Sequence, residues 1–115
     1  MEITYTNSAI EKLCHDPDKY GRKHDLPTKI IKELKEALTI MKNMSSCADF
    51  LKPIHRSYNF ERLKNKNGLM SIRLDIKYRM IFYDATHENK EFIEIIAVEI
   101  VDVNNHYKDW FLKGE

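Results

Sequence analysis

Lysine and arginine crowd one stretch of this chain. Between Lys52 and Arg79 stand Lys52, Arg56, Arg62, Lys64, Lys66, Arg73, Lys77 and Arg79 against only Glu61 and Asp75, while the whole chain carries a formal charge of +1. The remainder is therefore acidic. A polyphosphate responds to clustered cations rather than to total charge, so a local excess of this kind suggests a basic face for a polyanion. The competing reading is an ordinary hairpin whose exposed faces are solvated by Lys and Arg. The histidines lack metal-ligand spacing, and Cys14 and Cys47 stand singly, outside any C-x-x-C pattern. Neither a zinc site nor a disulfide framework is suggested, no metal or cofactor is expected, and both thiols read as small reduced residues.

For these cations to act together, regular backbone must hold them. Phe60 to Asp84 reads as two strand-like runs around an Asn-Gly turn at Asn65-Lys66-Asn67-Gly68, because Asn-Gly tolerates the positive φ a hairpin needs. Tyr58 to Lys64 is the expected first strand. In the next run Met70, Ile72 and Leu74 alternate with Ser71, Arg73 and Asp75, which puts Arg73 on the polar face. After a tight connection near Ile76-Lys77, Tyr78, Met80 and Phe82 alternate with Arg79, Ile81 and Tyr83. Glu91 to Val103 is nearly continuous in apolar residues and suits a central strand covered on both faces.

The first half supplies helices. Met1 to Tyr5 fits a short strand, and Ser8-Ala9-Ile10-Glu11 has the form of a capping box opening a brief helix that ends near His15, before Asp16-Pro17. From Pro27 onward Ile30, Ile31, Leu34, Ala37, Leu38 and Met41 recur at helical spacing. Ser45 to Leu51 fits another short turn of helix, stopped by Pro53, and His106 to Phe111 a C-terminal helix or hook. Helices followed by strands predict an α+β fold, N-terminal helices on a small, twisted, mainly antiparallel sheet. At 115 residues and 43% hydrophobic content, residues 1–115 fit a single domain that buries a core without staples. The N-terminus lacks a basic region followed by an apolar run, and no apolar stretch has membrane-spanning length, so a cytoplasmic protein with no membrane partner is the expectation.

The order of motifs carries a resemblance. A helix opening at Leu26-Pro27, then Glu61-Arg62-Leu63-Lys64, a turn with Gly68, Ser71-Ile72-Arg73 and Tyr78-Arg79-Met80-Ile81-Phe82 resembles the HigB branch of the RelE/ParE toxin superfamily. The spacing from Ser-Ile-Arg to Tyr-Arg matches the HigB pattern without a gap. The C-terminus departs from it: Val101-Asp102-Val103-Asn104-Asn105-His106-Tyr107 gives no contiguous Asp-Tyr-His, and either Asp102 or the pair His106-Tyr107 holds the matching position.

What the resemblance implies is a RelE-like fold and the toxin of a type II toxin–antitoxin pair, a metal-independent endoribonuclease that cuts mRNA on the ribosome. A ribose 2′-OH would attack the adjacent phosphate, a step that needs a proton acceptor, a proton donor and fixed positive charge at the phosphate oxygens. Arg73 is the first candidate for that charge and Arg79 the second, its rival role being a structural pairing with a carboxylate across the sheet such as Glu99 or Asp102. His55 and His106 are the acid–base candidates, since imidazole titrates nearest neutrality, with a bland surface histidine as the rival in each case. Tyr107 would donate a proton or stack on a base, or else belong to the core. Lys64 and Lys66, with Arg62 and Lys52, would contact mRNA or ribosomal RNA backbone. The expected partner is a cognate, HigA-like antitoxin.

The modest total charge argues against the enzyme, because ribosome-dependent members of the superfamily are usually more basic. Two other classes stay open: a ParE-like inhibitor that binds DNA gyrase without cutting RNA, and a toxin-derived interaction domain without catalysis.

Overall fold

A computed structural model describes residues 1–63, 68–88 and 90–105. The chain runs through β1 (Glu2–Tyr5), α1 (Ser8–His15), α2 (Pro17–Tyr20), a 3-10 turn at Arg22–His24, α3 (Thr28–Asn43), 3-10 turns at Cys47–Leu51 and Pro53–Tyr58, β2 (Glu61–Arg62), β3 (Leu69–Arg73), β4 (Arg79–Asp84), a 3-10 turn at Phe92–Glu94 and β5 (Ala97–Asn104). Five strands form one mixed sheet in the order β1-β5-β4-β3-β2. Only β1 against β5 is parallel. The fold is α+β, as the succession of helix and strand signals predicts.

Helix α3 follows its apolar spacing. Ile30, Ile31, Leu34, Ala37, Leu38 and Met41 are all buried, forming one stripe against the sheet. On the sheet side Met70, Ile72, Met80, Phe82, Val98, Ile100 and Val103 close the same core. Each fully buried Leu, Ile, Met or Phe of this set contributes about 1.5–3 kcal/mol relative to exposure. An aromatic column extends it outward: Phe60 stacks on Phe50 at 4.8 Å and meets Phe92 edge-on at 4.8 Å. Leu63, Leu69 and Ile81 form a second, smaller apolar cluster with Tyr83 and Val101 packed against it. Pairing puts Leu69 opposite Tyr83, and strand alternation sets both away from Met70 and Phe82. That cluster therefore lies on the sheet face turned away from α3.

Several local expectations need correction. Asn7, not Ser8, caps α1, its Oδ1 accepting from Ile10 N at 3.0 Å. Tyr58 ends a 3-10 turn rather than opening a strand, and the first hairpin strand is only Glu61–Arg62. The Cys47–Leu51 turn does end ahead of Pro53, with Lys52 extended, and Pro53 then opens the next turn, where a missing N–H costs nothing. Residues 91–103 are not one doubly covered strand. Phe92–Glu94 coils into a 3-10 turn, Ile93 and Ile96 are exposed, and β5 buries Val98, Ile100 and Val103 on the helix side while the residues between stay half exposed. The helices cover one face of the sheet, so the apolar run is longer than the strand it feeds. The expected C-terminal hook at His106 to Phe111 and the turn at Asn65-Lys66-Asn67 lie outside the described residues, while Gly68 has the positive φ of 73° expected of a turn glycine.

Candidate nucleic-acid interface

The sheet face opposite the helices carries three of the six candidates among the described residues, Arg73, Arg79 and Asp102. Cross-strand partners point the same way, so pairing defines its rows. One row is Glu61, Ser71, Ile81 and Asp102; the next, at the strand ends, is Arg73, Arg79 and Asn104; at the other end lie Leu69, Tyr83 and Glu99. A register shift between Ile81 and Phe82 takes up the extra residue Val101 and keeps Asp102 and Glu99 on this same face.

Arg73 and Arg79 are neighbours with opposite environments. Arg73 ends β3 exposed, and it makes no ion pair among the described residues. Arg79 is 6% exposed; its Nη1 donates to Ser71 Oγ at 3.2 Å and pairs with Glu61 Oε1 at 3.3 Å. The carboxylate across the sheet expected from sequence is present, and it is Glu61, which the β2–β3 pairing sets beside Ser71, rather than the suggested examples Glu99 or Asp102. Asp102 instead accepts from Val103 N at 2.8 Å and from Asn104 Nδ2 at 2.7 Å.

The other candidates disperse. Arg62 points to the opposite side: its guanidinium lies 4.4 Å above the Phe92 ring and Nη2 donates to the Lys90 carbonyl, while Nε is buried with no hydrogen-bond partner. It is part of the aromatic packing, not an open phosphate contact. Lys52 is exposed and paired with Asp49 at 3.1 Å. His55 stands on the Pro53–Tyr58 turn with its ring 6.1 Å from Tyr58, and lines a cleft of about 710 Å³ whose walls include Arg73, Asp75, Lys29, Glu33 and Glu36. His55 and Arg73 therefore meet at one cleft. Lys64, Lys66, His106 and Tyr107 lie outside the described residues.

Two groupings escape sequence reasoning. His87 adopts a left-handed φ of 57°, bonds Glu99 Oε1 through Nε2 at 3.1 Å and sets its ring 4.8 Å from Tyr83. Tyr83 lies four positions along β4 from Arg79, about 13 Å, so this pair and Arg73 cannot serve one phosphate. Nothing in the sequence joins His87 to Glu99; strand register does. The second is Glu33 and Glu36 beside Tyr58. Burial chiefly, and then those two carboxylates, raise the Tyr58 hydroxyl above its ordinary pKa. Burial also pushes the thiols of Cys14 and Cys47 up to about 12, in keeping with unreactive core residues.

Among the described residues no group of three or more His, Cys, Asp or Glu is arranged to hold a metal ion, and no helix is long and apolar enough to cross a membrane. Compared with protein-family models, curated proteins and solved structures, the chain matches none.

Proposed function

We propose that this chain is the toxin of a type II toxin–antitoxin pair, HigB-like within the RelE/ParE superfamily, and that it cleaves mRNA being translated in the cytoplasm. The observation that carries the reading is the cross-strand pair of Arg73 and Arg79 on the sheet face turned away from the helices, with Arg73 exposed at its edge, where the Ser-Ile-Arg and Tyr-Arg phrases lie on adjacent strands. In the reaction the 2′-oxygen gives up its proton and bonds to the adjacent phosphorus. The bond from phosphorus to the 5′-oxygen breaks, and that oxygen takes a proton to leave as a 5′-OH. Negative charge grows on the phosphate oxygens, and an exposed guanidinium at Arg73 meets it without first breaking another contact. Arg79 then has a positioning task, tying β4 to Ser71 and Glu61 beneath that site. Asp102, His55, His106 and Tyr107 compete for the two proton transfers, Lys64 and Lys66 serve the RNA backbone, and a cognate antitoxin silences the face.

One observation favours a second reading. Glu61 and Asp102 share the polar face with the two arginines and offset their field. A ParE-like gyrase inhibitor or a non-cleaving interaction domain tolerates that balance better than an RNA enzyme does. Induced expression without antitoxin, with mRNA 5′ ends mapped alongside growth, decides among them. Growth arrest with new cuts inside translated codons, lost in Arg73→Ala, is the expected result. Arrest without cuts would move the gyrase reading ahead, and no arrest would leave the interaction domain.

A further inference from the structure

A large cleft is bounded by α3, by the Pro53–Tyr58 turn and by the connection after β3. Its about 710 Å³ is within the range of small-ligand sites. Apolar walls come from Ile40, Leu74, Ile54 and Ile76, and the last two are 81% and 86% exposed, a cost the isolated domain gains nothing from. Tyr58 adds a half-buried ring held edge-on by Phe50 at 6.1 Å.

The polar groups in this cleft are sorted along α3. Lys29, Glu33, Glu36 and Ile40 follow one another on one face at helical spacing. Neither carboxylate has an ion-pair partner among the described residues, and the adjacent cation Lys35 is taken by Asp18 at 2.8 Å. Two unpaired carboxylates, acceptors only, one turn apart between apolar walls, call for a flat apolar ligand with adjacent N–H donors. Of the four RNA bases only guanine offers two neighbouring donors, N1–H and N2–H2, on one edge. Adenine and cytosine set an acceptor beside their amino group, and uracil flanks its N–H with two carbonyls. The rise from Lys29 to Glu36 is about 10 Å, the reach of a nucleoside monophosphate from phosphate to base edge. Arg73 joins the cleft to the polar sheet face, since it lines the one and ends the Arg73–Arg79–Asn104 row of the other.

We infer that this cleft is a guanine subsite: Glu33 and Glu36 accept from the guanine edge, Tyr58 and the isoleucines cover its faces, and Lys29 and Arg73 hold the attached phosphate. The guanine is that of a single-stranded RNA residue next to the one engaged on the sheet face, and this source rests on the ribonuclease reading, whereas the base chemistry does not. The site sets a sequence preference around the cut.

Amide NMR titration of the folded chain with 3′-GMP, 3′-AMP, 3′-CMP and 3′-UMP tests it apart from any cleavage. The expected result is shifts at Glu33, Glu36, Ile54, Tyr58 and Ile76, with GMP tighter than the others by about tenfold or more. Glu33→Gln and Glu36→Gln, at a half-buried and an exposed position of α3, should each erase most of that preference while leaving the spectrum folded. Equal shifts from all four nucleotides, or none in the cleft, would overturn the inference. A G-containing RNA trinucleotide binding better than GTP supports RNA as the source; GTP binding better than the trinucleotide would overturn that assignment. If expressed protein cuts no mRNA but GMP still seats in the cleft, the ribonuclease reading fails and the base chemistry stands.

Discussion

Replacing each arginine of the polar row by alanine should give opposite results. Arg79 is buried, and its guanidinium serves a fully buried Ser71 hydroxyl and the partly buried Glu61 carboxylate. Arg79→Ala removes the guanidinium charge from beside that carboxylate, strips Ser71 of a donor and opens space beside them. Breaking a fully buried pair costs about 3–5 kcal/mol, and with Glu61 partly exposed a loss of about 3 kcal/mol is appropriate. For a domain of this size each kcal/mol shifts the midpoint by about 4 °C, so Tm should fall by about 12 °C. Arg73 is exposed, and its truncation should stay within about 0.5 kcal/mol, or about 2 °C. Thermal melts followed by circular dichroism measure both, and induced-growth assays on the same variants complete the comparison. Arg73→Ala should be stable and harmless, whereas Arg79→Ala should lose toxicity with fold. If Arg79→Ala melts within about 4 °C of the parent, the structural assignment of Arg79 is wrong and the guanidinium is available to substrate.

Other perturbations report on the frame around the site. Gly21→Ala should destabilise by about 1–3 kcal/mol despite an ordinary φ of −60°, because the new Cβ would lie 2.5 Å from the Pro17 carbonyl oxygen and 2.6 Å from Ile31 Cγ1; chemical denaturation reads this, and a neutral result would mean that α2 yields. At Asp84 burial raises the carboxyl, but hydrogen bonds from Thr86 N, Thr86 Oγ1 and Lys90 N, with the Lys90 charge, outweigh it and hold the pKa below its usual value. A depressed carboxyl stabilises the fold above its unfolded pKa of about 4 and loses that contribution as pH falls through the folded value, so the Tm gap between parent and Asp84→Asn should be wide at neutral pH and close in acid. A gap that is constant with pH would show that the charge is not what matters. The buried thiols of Cys14 and Cys47 should resist a disulfide reagent at mildly alkaline pH until the chain is denatured, and prompt labelling of the native protein would contradict their burial.

Periodicity made α3 and the alternation of β3 and β4 legible, because each rests on local spacing that packing then uses unchanged; α1 was legible from its capping pattern, one residue off in the cap itself. Residues 91–103 misled for a physical reason: apolar content reports burial, not conformation, and Phe92 is half buried as part of an aromatic cluster without being in a strand. Parallel pairing of β1 with β5 is a contact across the length of the chain that no local pattern encodes. At the site, residue types were visible and partners were not. Arg73 was placed on the polar face by alternation alone. The choice of Glu61 for Arg79, the turn of Arg62 onto Phe92 and the meeting of His87 with Glu99 depend on register and on backbone at positive φ.

Register also decides which arginine can hold a phosphate. A phosphate brought to Arg79 would lie about as close to Glu61 as to the guanidinium. At a separation of about 5 Å and an effective dielectric near 20, attraction and repulsion are each about 3 kcal/mol and cancel. Binding there would first have to displace the carboxylate, and the displaced carboxylate would stay on the same face. Arg73 sits one strand across, exposed, with no carboxylate ion-paired to it among the described residues. The Glu61–Arg79 pair therefore narrows the polar face to a single accessible guanidinium. Adding Glu61→Gln to the comparison makes the point measurable: it removes the Glu61 charge beside Arg79, so anion affinity of the face should rise in Glu61→Gln and persist in Glu61→Gln with Arg73→Ala. Loss of all anion binding in that double variant would mean that Arg79 stays inaccessible even without the Glu61 charge, and that Arg73 alone defines the site.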